Sequence, residues 1–367
     1  LYQEQGIEAI KKLNGDFAFA LYDSKKGLLH LVRDRFGVKP LYFSKHNSSL
    51  YFSSELKAIL AIPGYPREID NLTLQNHLQT FYFAEETIFK NIKQLSPGHY
   101  LTYNIQTRKA HTSVYWEAPL NQKNRTESKN DLVDEFKQRF RNAIKIRLPG
   151  EVNVGAYLSG GLDSSAIVQS MKSIKKSPFP VFSIGFENKQ YNELHHTKDL
   201  VEKLNIQQHK IIIKKGDLKE AFLQSIWHSE IPVLNTHGAA KNILARLAKD
   251  HCKVVITGEG ADELLMGYGM FSHLLNEENE NYFFKTKASV NKGQLAGTLK
   301  KYDSVLDFFG AYPYSMQRHF YLNQINKFML KRIDRHIVSF WVNINKINLC
   351  ATIQTTICRC NKTNWRG

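Results

Sequence analysis

The chain reads Ser159-Gly160-Gly161-Leu162-Asp163-Ser164-Ser165 between an apolar run that ends at Leu158 and a segment of helical spacing. The run predicts a buried strand, and the apolar residues at 166–168 and 171 suit the buried side of a following helix. Adjacent glycines let the backbone turn sharply and bring N–H groups close to a ligand. A helix N-terminus adds unpaired N–H groups and the positive end of a dipole. The stretch therefore predicts a phosphate-binding loop.

This loop differs from the commoner phosphate loop, which ends in Gly-Lys-Ser/Thr so that the lysine reaches the outer phosphates. No lysine stands within residues 159–165. The stretch resembles instead the pyrophosphate loop Ser-Gly-Gly-x-Asp-Ser of the ATP pyrophosphatase group, whose members form adenylates and release pyrophosphate. The structural alternative is a Gly-Gly turn that serves packing alone. The serines and the aspartate beside the turn favour the functional interpretation.

Length and composition allow about two domains in 367 residues, and 42% hydrophobic residues are enough for real cores. No run of about 18 apolar residues occurs, so we expect no membrane span. The first residues lack the features of a signal peptide and a starting methionine, which suggests a chain that begins inside a longer protein. Four cysteines form no disulfide framework and predict a cytoplasmic enzyme.

The net charge of +16 raises the question of a nucleic-acid partner. Residues 281–367 hold 14 Lys and Arg against three Asp, so most of the excess lies in the last quarter of the chain. The middle of the chain, which carries the phosphate loop, is nearly balanced. We therefore predict an ordinary solvated basic face and no nucleic-acid partner.

Residues 1–112 predict a mostly β region. The apolar runs 17–23 and 28–33 are joined by the polar residues 24–27, which indicates a hairpin. Further predicted elements are strands at 41–43, 50–54 and 99–103 and helices at 55–60 and 72–82. Alternating short strands of this kind indicate a layer of a sandwich.

A helix with one apolar face is predicted to open the second domain. That face comprises Leu132, Val133, Phe136, Phe140, Ile144 and Leu148. Asn130 or Asp131 can cap the helix, and Pro149-Gly150 ends it. We expect the apolar face to be core, without a functional role.

Strands and helices then alternate along the chain. The predicted strands are 152–158, 181–186, 211–213 and 254–257, and the predicted helices after the phosphate loop include 193–204, 217–228 and 239–249. This alternation predicts a parallel, doubly wound sheet. Ligands bind at the carboxyl ends of the strands in such sheets. Leu158, Ile184 and Thr257 lie at or near strand ends, so we expect their loops to converge.

An acidic loop follows the last of these strands. Thr257-Gly258-Glu259-Gly260-Ala261-Asp262-Glu263 places three carboxylates within five residues. Beside a triphosphate such clustering is repulsive unless a divalent cation intervenes, and Mg²⁺ prefers one or two carboxylates with phosphate oxygens and water. We predict that Asp163 and Asp262 jointly hold Mg²⁺. The alternative, acids that suit a helix dipole, accounts for Asp262 and Glu263 but not for the glycines on both sides of Glu259.

Both loops, together with four stretches of the first domain, resemble the glutamine-hydrolysing asparagine synthetases. The four stretches are 15–23, 33–42, 53–58 and 95–100, and the resemblance is strong across residues 1–270. It implies a partial N-terminal-nucleophile αββα sandwich followed by a doubly wound ATP pyrophosphatase domain. The implied boundaries are an amidotransferase part at 1–118, a linker at 119–130, the synthetase domain at 131–340 and a divergent basic tail at 341–367.

The resemblance also implies a reaction and its residues. ATP and Mg²⁺ are the implied cofactors, and aspartate and glutamine or ammonia are the implied substrates. Aspartate is adenylated to β-aspartyl-AMP, which ammonia converts to asparagine, and a homodimer is an assembly that the family allows. Glu259 and Glu263 are assigned to the acid substrate and the ammonia step. The residues assigned to ATP are Leu158, Ser159, Gly160, Gly161, Asp163, Ser164, Ser165, Ile184, Thr257 and Gly258.

The sequence departs from the family's pattern near both ends. The family's glutaminase nucleophile is an N-terminal cysteine, whereas the first cysteine here is Cys252, so we expect no glutamine hydrolysis. For Arg33, Asp34, Lys39 and Glu55 we expect structural roles, in a turn and in interdomain salt bridges, and not catalysis. After His336 the family's pattern is lost, which we interpret as a frameshift or a misread exon that leaves the synthetase site without its closing lysine.

Three other interpretations stay open at this point. A related enzyme could amidate or cyclise a different carboxylate with the same loops. A tRNA-thiolating enzyme shares the pyrophosphate loop, although the first 112 residues and the absence of a catalytic cysteine pair near the loop oppose it. The last of the three is a non-catalytic remnant that binds ATP.

Overall fold

The computed structural model describes residues 1–78, 85–118, 127–148, 152–232 and 235–265. The chain divides into two compact units. Of the described residues, the first unit contains 1–78, 85–118 and 226–232, and the second contains 127–148, 152–225 and 235–265. The predicted tail at 341–367 and the departure after His336 lie outside the described residues, and the predicted domain boundaries stay predictions.

The first unit contains two antiparallel sheets. One sheet has the order β1-β2-β6-β7 and the other the order β4-β3-β5. The strands are β1 (Ala18–Asp23), β2 (Leu28–Arg33), β3 (Tyr42–His46), β4 (Ser49–Ser53), β5 (Lys93–Gln94), β6 (His99–Asn104) and β7 (Ala110–Val114). The helices are α1 (Tyr2–Gln5), a 3₁₀ helix (Gly6–Lys12), α2 (Leu56–Leu60) and α3 (Asn71–Leu78).

The core of the first unit lies between these two sheets. Side chains alternate across a strand, and β2 therefore sends one set of its apolar side chains to the facing sheet. The shared cluster comprises Leu29, Leu31, Leu41, Leu50, Leu95, Leu101 and Tyr103. On the outer face of β2, Val32 packs with Ile10 of the 3₁₀ helix, and α2 contacts β3 and β4. The predicted αββα layering and the hairpin of β1 and β2 are confirmed.

A charged turn follows β2 and is built by buried side chains. The Asp34 carboxylate accepts hydrogen bonds from the backbone N–H groups of Phe36 (3.2 Å), Val38 (2.9 Å) and Lys39 (2.9 Å). The Arg33 guanidinium donates to the Lys39 carbonyl and to two further backbone carbonyls at 2.6–2.7 Å. Buried charges need such partners, and this turn supplies them. These contacts agree with the turn role expected for Arg33 and Asp34.

The second unit contains a parallel sheet of order β10-β9-β8-β11. Its strands are β8 (Val154–Tyr157), β9 (Val181–Phe186), β10 (Gln208–Ile213) and β11 (Val254–Ile256). Its helices are α4 (Lys129–Ile146), α5 (Leu162–Ile174), α6 (His195–Leu204), α7 (Lys215–Ser229), α8 (His237–Lys249) and α9 (Ala261–Leu265), with the end of α7 in the first unit. The predicted doubly wound parallel sheet is confirmed. Among the described helices, none is long and apolar enough to cross a membrane.

Two expectations for α4 are wrong. Its cap is Ser128, whose Oγ accepts the Asp131 N–H at 3.2 Å, and not Asn130 or Asp131. Of its predicted apolar face, Ile144 is buried, whereas Val133 is 42% and Phe136 48% exposed. Helical spacing places these residues on one side of the helix, but the depth of burial depends on the elements that cover that side.

A buried ion pair joins α2 to the residue that follows α7, within the first unit. The Glu230 carboxylate accepts hydrogen bonds from the Leu56 N–H (2.6 Å) and the Lys57 N–H (2.9 Å), and it pairs with Lys57 Nζ at 2.9 Å. Both charged residues are buried, and Lys57 Nζ lies 5.4 Å from the centre of the Trp227 ring. Burial raises the pKa of Glu230, and the contacts with Lys57 and Leu56 oppose that rise.

Replacing Glu230 with Ala leaves the Lys57 ammonium without its buried partner. We expect the free energy of unfolding of the first unit to fall by about 3 kcal/mol, because Lys57 loses its buried partner and keeps the exposed Glu55 carboxylate, whose Oε2 lies 3.2 Å from Lys57 Nζ. Urea titration followed by tryptophan fluorescence measures this change.

Two further variants serve as controls for Glu230→Ala. The double variant Lys57→Met/Glu230→Leu removes both charges and is expected to lose less stability than the single variant. Lys137→Gln breaks the exposed ion pair between Lys137 and Asp134 and is expected to cost less than about 1 kcal/mol. Equal losses in the single and double variants would contradict the ion-pair explanation.

Candidate active site

The strand order of the second unit creates a crevice at one edge of its sheet. From β8 the chain adds β9 and then β10 on one side, whereas β11 pairs with the opposite edge of β8. In parallel sheets ligands bind at the carboxyl ends of the strands where the order changes direction in this way. The phosphate loop follows β8 and the acidic loop follows β11, so the two predicted loops flank this point.

Glycine and serine give the phosphate loop its shape. Gly160 has φ +92°, which disfavours residues with a side chain, and an added Cβ would lie 2.7 Å from the His196 Cβ. Ser159 Oγ accepts the Gly161 N–H at 3.2 Å and lies 3.0 Å from Ser164 Oγ. Ser164 Oγ in turn accepts the Ser159 N–H at 3.2 Å. The hydroxyls therefore hold the loop in a tight turn at the start of α5.

The N-terminus of α5 faces the end of this turn. Gly161 is the N-cap and has no side chain that could accept a hydrogen bond from the first turn of the helix. The first N–H groups of a helix lack partners within the helix, and together with the dipole they attract anions. Because residues 159–161 carry only one side-chain hydroxyl, most hydrogen-bond donors here are backbone N–H groups. Several such donors suit a ligand with several anionic oxygens.

The acidic loop packs directly against the phosphate loop. An added Cβ on Gly258 would lie 3.0 Å from the Asp163 Cβ and 3.3 Å from the Ser164 nitrogen. Only glycine permits this approach without a shift of the neighbouring chain. The structure thus brings the Asp163 region and the acidic loop together, as the sequence led us to expect.

The remaining predicted residues lie at different positions along this edge. Leu158 and Thr257 directly follow β8 and β11, and the Leu158 carbonyl accepts a hydrogen bond from Ser183 Oγ at 2.6 Å. Ile184 lies inside β9, two residues before its end. Asp262 and Glu263 occupy the first turn of α9. Their assignments to ATP, Mg²⁺ and catalysis stay predictions.

One charged contact at this edge was missed in the sequence. Lys241 Nζ, on α8, lies 2.6 Å from Glu259 Oε1 in the acidic loop. The two residues are 18 positions apart and lie on different elements, so no helical or strand spacing links them. Its partner Glu259 was predicted to act in catalysis, and Lys241 was not.

The two side chains predicted to hold Mg²⁺ are both aspartates, Asp163 and Asp262. Within the part of the chain that the structure describes, no group of three or more His, Cys, Asp or Glu side chains could hold a metal ion. Mg²⁺ is commonly held by one or two carboxylates and completes its shell with phosphate oxygens and water. Gly258 packs against Asp163, and Asp262 lies four residues after Gly258, so the two carboxylates of the prediction belong to contacting segments.

His209, for which a structural role was expected, lies away from these loops at the start of β10. Its ring stacks on Phe182 at 5.5 Å and lies 3.8 Å from the His251 ring. Burial, and secondarily His251, lowers the pKa of His209. These contacts agree with the structural role.

The parallel sheet, with the phosphate loop after β8 and the acidic loop after β11, has the fold predicted for a domain of the ATP pyrophosphatase class. The family model described as asparagine synthase matches residues 135–355, and the model described as a glutamine amidotransferase domain matches residues 1–116. The chain belongs to the asparagine synthase family.

Curated relatives carry two kinds of name. A putative glutamine-hydrolysing asparagine synthetase 2 of Methanocaldococcus jannaschii is 35% identical and covers 73% of this chain and 52% of that protein. The amidase chyE of Penicillium rubens is 32% identical, covering 77% and 44%. The glutamine-hydrolysing asparagine synthetase 1 of Bacillus subtilis is 31% identical, covering 75% and 43%. The chain spans about half the length of these relatives.

Replacing Gly160 with Ala tests the geometry of the phosphate loop. The new methyl group would meet the His196 Cβ and the backbone would keep a positive φ. We expect a loss of about 1–3 kcal/mol in the stability of the second unit, together with weaker ATP binding, measured by thermal melting and by ATP titration.

Gly216→Ala is the matched control in the same unit. Gly216 lies in the first turn of α7 and an added Cβ would meet nothing within 4 Å. Alanine favours the helix by about 1 kcal/mol over glycine, so this variant should keep or gain stability. A similar loss in both variants would contradict the local explanation.

Proposed function

We propose that the chain carries the ATP-dependent amide-forming activity of an asparagine synthetase, with aspartate as the carboxylate substrate. The observation that supports this proposal is the contact between Gly258 and Asp163, which sets the acidic loop against the phosphate loop. One loop suits the phosphates of ATP, and the other brings carboxylates to the position of the reacting groups. Family membership supports the same reaction class.

In the first step an oxygen of the aspartate side-chain carboxylate attacks the α-phosphorus of ATP. The bond between the α-phosphorus and the bridging oxygen breaks, and pyrophosphate leaves with the electron pair. The chain's own part is to bind and to orient: residues 159–161 and the N-terminus of α5 hold the departing pyrophosphate. Positioning and neutralisation of charge account for most catalysis at phosphorus.

Asp163 and Asp262 are the residues that we assign to Mg²⁺. When bound there, Mg²⁺ would supply positive charge to offset that of the phosphate oxygens. Without such a cation the acidic loop would repel a triphosphate, since opposing like charges raise the energy of the complex. The two aspartates thus let one crevice accept both carboxylates and phosphates.

In the second step ammonia converts β-aspartyl-AMP to the amide. The nitrogen attacks the acyl carbon, the bond from that carbon to the phosphate oxygen breaks, and AMP leaves with the electron pair. One proton departs from the nitrogen, and Glu259 is the carboxylate that we assign to accept it. Glu263 is assigned to the acid substrate. Residues 1–116 match the glutamine amidotransferase domain, but the first cysteine of the sequence is Cys252, so we keep the expectation of no glutamine hydrolysis and assign ammonia itself as the nitrogen source. Homodimer formation stays a prediction.

A second candidate function is amidation of a different carboxylate by the same chemistry. The match to a relative that is not named a synthetase, the amidase chyE, at an identity similar to that of the synthetases keeps a different substrate open. Both candidate functions begin with adenylation of a carboxylate, and they differ in which acid is adenylated.

Exchange of labelled pyrophosphate into ATP tests both candidates. We expect exchange that depends on aspartate, and we expect Asp163→Asn to lower it by about 100-fold or more, because a charged ligand on the phosphates is lost. Asp134→Asn, an exposed change on α4, is the control and should leave exchange unchanged.

The carboxylate that supports pyrophosphate exchange distinguishes the two candidate functions. Exchange with another carboxylate and none with aspartate would favour the second candidate. Exchange that is the same in Asp163→Asn as in the parent chain would overturn the assigned site.

A further inference from the structure

The acidic loop is held from two sides. On one side Gly258 packs against Asp163 and Ser164. On the other, Lys241 Nζ contacts Glu259 Oε1 at 2.6 Å. Lys241 belongs to α8, a helix of 13 residues that packs on β9 and β10. Its backbone is therefore fixed by the sheet.

The Lys241–Glu259 ion pair is short, but both of its side chains are largely exposed to solvent. The side chains of Lys241 and Glu259 are 58% and 68% exposed. Exposed ion pairs contribute little to the free energy of folding. A side chain that stands at the crevice and contributes little to folding is a candidate for a role in the reaction.

We propose that Lys241 is a positioning residue for Glu259 in the ammonia step, an inference that rests on the proposed function. The lysine holds Oε1, which fixes the side-chain torsions of Glu259 and directs Oε2 toward the incoming nitrogen. As the carbon–nitrogen bond forms and AMP leaves with its electron pair, Oε2 takes the proton that departs from nitrogen. Lys241 exchanges no proton and touches no reacting atom.

This role predicts a loss confined to the second half of the reaction. Adenylation depends on the phosphate loop and the aspartates, which Lys241 does not contact in the described structure. Proton acceptance depends on the orientation of Glu259, and small misplacements of a catalytic group cost rate steeply. The two half-reactions are measured separately, by pyrophosphate exchange and by amide formation from free ammonia.

Lys241→Gln is the test variant. We expect the kcat of amide formation to fall about tenfold or more while the KM for ATP and the rate of pyrophosphate exchange stay within about twofold. Lys241→Arg keeps a cation of similar reach and should restore amide formation to within about threefold of the parent chain. The matched control is Lys249→Gln, an exposed change on the same helix about 12 Å farther along its axis.

Three results would overturn the inference. Equal losses of exchange and amide formation in Lys241→Gln would indicate a role in ATP binding. Full amide formation in that variant would show that Glu259 needs no such support. Equal losses in Lys241→Gln and Lys249→Gln would indicate a general effect of charge.

Hydrogen exchange of the acidic loop separates this inference from the proposed function. If the parent chain shows no pyrophosphate exchange with any carboxylate, the proposed function fails. Amide hydrogen exchange in a peptide that covers residues 257–265 reports on the acidic loop independently of that activity. We expect faster exchange in Lys241→Gln than in the parent chain and in Lys249→Gln, and an unchanged rate would overturn the inference.

Discussion

The pairing of β8 with β11 is the constraint on which the site depends. Val154, Gly155 and Ala156 lie opposite Val254, Val255 and Ile256 in parallel register. Because the strands are parallel neighbours, their carboxyl ends lie side by side, and the loops that follow them must meet. β9 and β10 extend the sheet on the other side of β8. The crevice therefore lies between β8 and β11, which are the first and the last strands of this sheet along the chain. The proximity of the phosphate loop and the acidic loop is thus a consequence of strand order.

Glycine then determines how closely those loops approach. Gly258 comes within contact distance of the Asp163 backbone, and Gly160 presses against the start of α6 with a positive φ. A side chain at either position would separate elements that carry the charged groups. The two glycines therefore have different roles. Gly160 permits the turn of the phosphate loop, and Gly258 permits the close approach of the acidic loop. The motif spacing alone does not distinguish these roles.

Local patterns predicted most elements but missed β7 and the 3₁₀ helix at Gly6–Lys12, and they gave no sign of the non-local contacts. Apolar runs bounded by glycine, proline or polar residues located β8 to β11 within a few residues, because a buried parallel strand needs a continuous apolar stretch. The cap of α4 was missed although Ser128 and Asp131 form the Ser-x-x-acid pattern of a capping box. The exposure of Phe136 and the pairs of Lys57 with Glu230 and Lys241 with Glu259 depend on elements distant in the chain, for which a single sequence carries no signal.

Burial distinguishes the charges that build this protein from those assigned to chemistry. Arg33, Asp34, Lys57 and Glu230 are buried, and each is surrounded by hydrogen-bond partners. A buried charge is tolerated only with such partners, so these groups have little capacity left for a ligand. Glu259, by contrast, stands largely exposed at the carboxyl edge of the sheet, and within the described part of the chain its ion pair is with the exposed Lys241. A carboxylate in that setting is accessible to a substrate while Lys241 holds one of its oxygens. The same side-chain chemistry therefore serves structure in the first unit and is available for catalysis in the second.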